Sequence, residues 1–419
     1  MHLYKLLAVI VGVMPVAIVN AQQSTPLTLA EAEDRALASE PGQLAFEARA
    51  AALDERAVAV TQLPDPQLRL GVNNYPLDGG SFSREGMSHM LVGIQQMVPP
   101  GRTRSISAQR YEALADRAES QGDARGRDVL LAVRKGWLDL YYLDRAHELV
   151  SESRPFFEEL ASVTRSLYSV GRKSQQDVLH AELELSRLDD RLIDIERTRM
   201  QGRAALGEWL GADAGRPIAA KLPPWTAVPA LSDMHAALST HPAMTAAMAD
   251  SEASTAGVGL ARQRSKPGWS VNVGYSSRNG TLASGAPRSD FLSVGVTVEL
   301  PFLRRKSVDS TLAAALSEKS AAKSQELAVH RSLESRLEGE YARWHELSRR
   351  LELYEQRILA QSKERAEAAM LAYQSDSADF ADVMRGYIDA LNARIEYERL
   401  QVERAQSYAV LANLGGLPR

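Results

Sequence analysis

The side chains that come nearest to a metal-binding group are Met87, His89 and Met90, which fall within one four-residue stretch. Thioether sulfur and imidazole nitrogen suit soft ions such as Cu(I). The same residues also fit the start of a β-strand that crosses a membrane, where methionine fills space against lipid. We favour the second interpretation, so the sequence predicts no metal site and no cofactor.

A second group of candidates consists of carboxylates near predicted helix starts. Asp382 and Arg385 are three residues apart, a spacing at which side chains on one helix form an ion pair. Ser, His and Asp residues occur, but in no nucleophile–base signature, and the sequence has no Gly-rich phosphate loop. The sequence therefore predicts a protein that is not an enzyme.

The N-terminus and the composition restrict the class of protein further. Residues 1–21 combine Lys5, an apolar run and a small-residue end at Ala21, which together are typical of a secretory signal peptide. The apolar run is too short for the roughly 20 residues of a spanning helix. The chain has no cysteine, so an N-terminal lipid on cysteine is excluded. A net charge of −4 over 419 residues does not favour binding to nucleic acid.

The helices and strands that must position these residues occur twice along the chain. Val92-Gly93-Ile94 corresponds to Val294-Gly295-Val296, and Trp137 corresponds to Trp344. A period of roughly 200 residues is too long for a solenoid repeat and indicates duplication of a whole module. We predict a first repeat over residues 22–211, a linker over 212–228 and a second repeat over 229–416.

Each repeat contains an embedded β-hairpin, predicted at about residues 66–99 and 268–301. The second is the clearer, since Leu292, Val294, Val296 and Val298 alternate with polar or glycine positions. Strands of about 9–12 residues have the length of transmembrane β-strands. Four strands cannot close a barrel, and open sheet edges do not occur in lipid. Either the hairpins are soluble, or several chains pool their strands.

Long helices follow each hairpin. Helix-compatible sequence extends from Arg102 to Tyr168, interrupted only by Pro155, and a return helix is predicted from about Ser174 to Leu210. The second repeat predicts the same pair over 308–373 and 378–414. Apolar stripes with 3–4 spacing on these helices favour a ring in which every helix has two neighbours.

This arrangement resembles the TolC-type outer-membrane efflux proteins over essentially the whole mature chain. The residues that carry the likeness are Leu27–Ala32, Leu63–Pro66, Tyr168–Gly171 with Asp177–Leu179, and Tyr373–Asp376 with Asp382–Met384. The resemblance implies a mainly α protein with a small β part. It also implies a homotrimer, in which a twelve-stranded β-barrel sits in outer-membrane lipid and a helical α-barrel forms a tunnel through the periplasm.

The function implied by the resemblance is a passive exit duct, which receives substrates from an inner-membrane pump through a periplasmic adaptor. Asp65–Leu68, Asn74–Asp78 and Met97–Arg102 are similar to the heavy-metal exporters of the family, whose pumps are of the RND type. Export of drugs or general solutes is the alternative within this fold. A periplasmic coiled-coil scaffold with soluble hairpins is the alternative outside it.

The resemblance also assigns two groups of site residues. The turns with Val170, Gly171 and Arg172, and with Ser375 and Asp376, are expected at the periplasmic tip, where they meet the adaptor. Asp382 occupies the position of the entrance gate in this family. Arg385 and Asp177, which is the counterpart of Asp382 in the first repeat, are predicted as gate residues together with it. A trimer would form a ring of three Asp382 carboxylates that favours cations, whereas pairing with Arg385 would make the residue structural.

Overall fold

The computed structural model describes residues 25–38, 40–375, 377–415 and 417. The signal peptide predicted at residues 1–21 lies outside the described residues. The first half contains α1 (Leu29–Ala38), α2 (Pro41–Ala59), β1 (Gln67–Asn73), β2 (His89–Val98), α3 (Thr103–Ser169) and α4 (Gln175–Leu210). A 3₁₀ turn, Gly211–Gly215, follows.

The second half repeats this order of elements. It contains α5 (Leu231–Ala237), α6 (Pro242–Gln263), β3 (Trp269–Ser277), β4 (Phe291–Val298), α7 (Arg305–Leu353), α8 (Leu359–Gln374) and α9 (Phe380–Leu414). Pro301–Arg304 forms a 3₁₀ turn between β4 and α7. Tyr354–Ile358 is a π-helical segment between α7 and α8, at a place where the sequence predicts an uninterrupted helix.

The strands form one antiparallel sheet in the order β1-β2-β3-β4. The two hairpins are therefore joined through β2 and β3, where Gly93 pairs with Gly274. β1 and β4 are shorter than the predicted 9–12 residues, at 7 and 8 residues. β1 ends where Asn74 adopts a left-handed conformation with φ of 52°. β4 ends just before Leu300-Pro301, because proline has no N–H to donate to a ladder.

The long helices separate the sheet, which lies at one end of the chain's fold, from the turns that join helices at the other end. α3 has 67 residues and continues through Pro155, which gives a length of about 100 Å. α2 and α4 both pack along α3, and α6 and α9 both pack along α7. Among the described residues, no helix is both long and apolar enough to cross a bilayer.

Two buried clusters hold the helices together near the middle of the molecule. Trp137 is fully buried and donates a hydrogen bond from Nε1 to the Leu27 carbonyl at 2.9 Å. Its counterpart Trp344 is also buried, but its Nε1 has no hydrogen-bond partner. The predicted linker is tied to this core, because Trp225 stacks on Tyr408 at 4.7 Å between ring centroids. The two halves of the chain therefore differ at Trp137 and Trp344, which the sequence matches to each other.

Candidate functional site

One face of the sheet is a continuous apolar surface. Register places Leu70 beside Val92, Val92 beside Tyr275, and Tyr275 beside Leu292. The neighbouring row runs through Leu68, Ile94, Val273 and Val294. These side chains are 44–73% exposed, although each is large and apolar. Apolar side chains in this number are normally buried, so this face requires a non-aqueous neighbour.

The opposite face carries mostly small and polar side chains, with Leu91 and Met97 of β2 as apolar exceptions. Ser270, Asn272, Gly274 and Ser276 line β3, and Gln95 donates from Nε2 to Ser270 Oγ at 2.9 Å. Strands also approach closely here, since a Cβ on Gly93 would lie 2.9 Å from the Val273 carbonyl oxygen. Apolar and polar faces that alternate along every strand are the pattern of a membrane barrel wall with a polar interior.

The sheet has two open edges within a single chain. β1 and β4 each pair on one side only, and both are exposed on both faces, apart from the half-buried Gly295. Unpaired backbone groups cost several kcal/mol each in hydrocarbon. A single chain therefore cannot place this sheet in lipid by itself.

The first predicted tip is the turn between α3 and α4. Gly171 has φ of +74°, and its N–H donates to the Tyr168 carbonyl at 2.9 Å. The Arg172 N–H donates to the Leu167 carbonyl at 2.9 Å. Val170 is the C-cap residue that follows α3, and it is 66% exposed. This geometry closes the end of α3 and leaves the turn exposed, as contact with a partner requires.

The second predicted tip is the turn between α8 and α9. The Ser377 N–H donates to the Ala372 carbonyl at 2.8 Å, and Ser375 Oγ lies 3.0 Å from the same oxygen. Asp376, predicted as a contact residue here, lies outside the described residues. The two turns are neighbours, because Lys173 Nζ sits 4.1 Å from the centroid of the Tyr373 ring. Sequence analysis did not predict this contact, which joins residues 200 positions apart.

Asp177 and Asp382 occupy the same position in their helices but make different contacts. Each is the third residue of its helix, α4 or α9. Asp177 completes a capping box, in which its N–H donates to Ser174 Oγ at 3.2 Å and its Oδ2 accepts from the Ser174 N–H at 3.1 Å. The Asp177 carboxylate is therefore occupied in holding the start of α4.

The Asp382 carboxylate takes no part in capping. Arg385 Nη1 lies 3.3 Å from Asp382 Oδ1, and the two side chains remain 62% and 53% exposed, respectively. The predicted ion pair is thus present within the chain. An exposed pair of this kind contributes only about 0.3–0.5 kcal/mol, so it does not hold Asp382 away from other partners.

Charged residues elsewhere stabilise the helical wall. Glu40 caps α2 by accepting from the Gln43 N–H, and Arg125 Nη2 donates to its Oε1 at 2.9 Å. Burial acts to raise the pKa of Glu40, but the hydrogen bonds from Arg125, Gln43 and Gly42 lower it below its usual value. Among the described residues, no three His, Asp or Glu side chains are grouped as metal ligands would be. Met87, His89 and Met90 belong to no such group.

Comparison with solved structures identifies the fold. The fold matches the outer-membrane channel OprN with a TM-score of 0.77 at 16% identity, covering 93% of this chain and 90% of that one. It matches CusC, whose structures concern transmembrane channel formation, with a TM-score of 0.78 at 14% identity, covering 93% and 92%. The outer membrane protein VceC from Vibrio cholerae matches with a TM-score of 0.76 at 18% identity, covering 93% and 96%. This is the fold of outer-membrane channels.

Sequence comparison agrees with this fold. Residues 234–417 match the family model described as outer membrane efflux protein. Protein CyaE of Bordetella pertussis is 27% identical over 222 residues, which are 50% of this chain and 46% of that protein, so the match spans about half the relative's length. The second half of the chain is therefore similar to the outer membrane efflux proteins. Both comparisons point to the outer membrane as the location of this chain.

Proposed function

We propose that three copies of this chain form a passive exit duct of a tripartite efflux system. The observation that carries the proposal is the sheet, which has one continuous apolar face, one polar face and two open edges. Closure with strands of further copies satisfies the edges and turns the apolar face to lipid. Three copies supply twelve strands, and the polar faces then enclose a water-filled lumen.

The helices continue this duct into the periplasm in the proposal. Their tip carries Val170, Gly171, Arg172 and Ser375, and these exposed turns meet the periplasmic adaptor. An inner-membrane pump of the RND type delivers the substrate. The chain itself needs no energy source, because it provides only a path and an entrance that closes.

Heavy-metal cations are the substrates that we propose. Support comes from Asp382, whose carboxylate is half-exposed and free of capping bonds at the start of α9. Three such carboxylates around one axis attract cations and repel anions. Export of drugs or general solutes by the same duct is the second candidate. A strain that lacks the protein should lose resistance to metal salts in the first case and to drugs in the second.

Membrane fractionation and conductance test the duct itself. The protein should enter the outer-membrane fraction, require detergent for extraction, and migrate as a trimer that dissociates on heating. Purified trimers added to a planar bilayer should give discrete conductance steps. A protein that stays soluble without detergent would instead support the periplasmic scaffold, and detergent-extracted trimers without conductance would exclude a duct.

A further inference from the structure

Eight cationic side chains are concentrated where the sheet meets the helices. They follow β2, precede β3 and follow β4, so all lie at the same end of the sheet. All eight are exposed. We call this set the basic belt: Arg102, Arg104, Arg262, Arg264, Lys266, Arg304, Arg305 and Lys306.

Specific contacts bring the parts of the belt together. The Arg102 N–H donates to Gln263 Oε1 at 3.1 Å, and Gln263 is itself 92% buried, which fixes the start of α3 against the end of α6. The Glu299 N–H donates to the Gly268 carbonyl at 2.8 Å, which holds the segment that precedes β3 beside the segment that follows β4. Lys266 lies in the first of these segments and Arg304 in the second. The belt is therefore a surface and not only a sequence feature.

The charge of the belt is largely unneutralised within the chain. Arg305 Nε lies 3.9 Å from Asp309 Oδ2, and in the described part of the chain the other seven cations have no carboxylate within 4.0 Å. The nearby acids are Asp65, Glu299 and Asp309, which leaves a net charge of +5 (eight cations minus three acids). The loops at the other end of the sheet, 74–88 and 278–290, carry three arginines and three acids.

Apolar side chains adjoin the belt on the same segment. Phe302 and Leu303 are 67% and 75% exposed, and they lie between the apolar row of β4 and Arg304. An apolar surface that passes directly into a cluster of Arg and Lys matches the boundary between acyl chains and headgroups. Arginine binds phosphate oxygens in a bidentate manner, and a cluster of cations favours headgroups with a net negative charge over zwitterionic ones.

We propose that the basic belt binds anionic phospholipid headgroups of the periplasmic leaflet, with Phe302 and Leu303 inserted among the acyl chains. This inference rests on the proposed insertion of the sheet in the outer membrane. Each Lys or Arg near an anionic surface strengthens binding up to about fivefold at low salt, and salt screens the effect. The belt thereby fixes the depth and direction of the barrel in the membrane.

Spin-labelled lipids measure this preference directly. The purified full-length protein is reconstituted in phosphatidylcholine vesicles with trace spin-labelled phosphatidylglycerol or phosphatidylcholine, and the motionally restricted fraction of each is compared. The phosphatidylglycerol label should be favoured at least threefold at low salt and less at high salt. The triple variant R304Q/R305Q/K306Q should lose at least half of that preference, whereas R304K/R305K should retain it.

The matched control R187Q/R197Q/K363Q removes three exposed cations from α4 and α8, far along the helices from the sheet. It should keep the wild-type preference. No preference in the wild type, an equal loss in the control, or dissociation of the triple variant into monomers would each overturn the lipid inference. Motionally restricted lipid without a headgroup preference would contradict the lipid inference but not the proposed duct. If neither label were motionally restricted, both proposals would be contradicted.

Discussion

At the scale of single residues, His241 shows how the fold uses a neutral histidine. It precedes α6, is 7% exposed, and accepts a hydrogen bond at Nδ1 from the Ala243 N–H at 3.1 Å. Burial, with the nearby Arg127, lowers the pKa of His241 to about 4. A proton on Nδ1 would abolish the cap, so the folded protein requires the neutral ring.

This requirement predicts a pH-dependent loss of stability. The unfolded chain binds a proton near pH 6.5 and the folded chain only near pH 4, so stability is full above 6.5 and falls as the pH is lowered towards 4. The contribution is at most about 3 kcal/mol per chain. His241→Asn keeps a capping side chain without titration. Between pH 7.5 and 5, its melting temperature by circular dichroism should fall less than that of the wild type, and an equal fall would assign the dependence to other groups.

Asp382 allows a second prediction at this scale, because its two possible roles, an ion pair and a carboxylate ring, predict different effects of a substitution. Loss of its exposed ion pair with Arg385 should change the free energy of unfolding by less than about 0.5 kcal/mol. Loss of a three-carboxylate ring should clearly reduce the preference for cations. Asp382→Asn should therefore leave the melting temperature nearly unchanged and lower the cation-to-anion permeability ratio in a planar bilayer.

Two variants serve as controls for that measurement. Arg385→Gln breaks the same pair but keeps the carboxylate, so it should retain or increase cation selectivity. Asp177→Asn removes the negative charge from the first turn of α4 and should reduce stability by about 0.3–1 kcal/mol. If Asp382→Asn and Arg385→Gln have equal effects on permeability, the pair rather than the carboxylate ring is the functional unit.

At the scale of elements, we expect the two faces of the sheet to differ in their tolerance of a charged side chain. Val294 lies on the apolar face in the middle of β4, and Ser293 beside it lies on the polar face. A lysine at the midplane of the lipid face costs about 2–4 kcal/mol, whereas the lumen face accepts it. Val294→Lys should reduce the amount of heat-dissociable trimer in the outer-membrane fraction severalfold, and Ser293→Lys should not. Equal losses would place both faces in a similar environment.

Elements with local signals were predictable from the sequence, whereas those set by distant contacts were not. The end of α3 follows from Gly171, and the start of α4 from the capping pair of Ser174 and Asp177. The contact of Lys173 with Tyr373 has no local signal, because it joins two repeats. The π-helical segment at Tyr354–Ile358 likewise has no residue pattern that announces it. The different contacts of Asp177 and Asp382 follow from their N-cap residues, since Ser174 shares a capping box with Asp177, whereas Asp379 at the start of α9 makes no side-chain cap.

At the scale of the whole molecule, the open edges determine how copies must associate. In a closed barrel, β4 of one chain pairs with β1 of the next, and directly opposed residues lie on the same face with Cβ atoms about 4.5–5.5 Å apart. The chain has no cysteine, so introduced cysteines form no other disulfides. Leu70→Cys on the apolar face of β1 should therefore cross-link to cysteines on the apolar face of β4 only.

The expected cross-links depend on which face of β4 carries the cysteine, and they join a limited number of chains. Leu70→Cys combined in turn with Leu292→Cys, Val294→Cys or Val296→Cys should give, at one of these positions, covalent dimers and trimers on a denaturing gel. The partners Ser293→Cys, Gly295→Cys and Thr297→Cys point to the other face and should not cross-link. Because three chains close the ring, oxidation should stop at the trimer. A ladder that continues beyond three chains would show that the sheet extends without closing, and a trimeric exit duct would then be excluded.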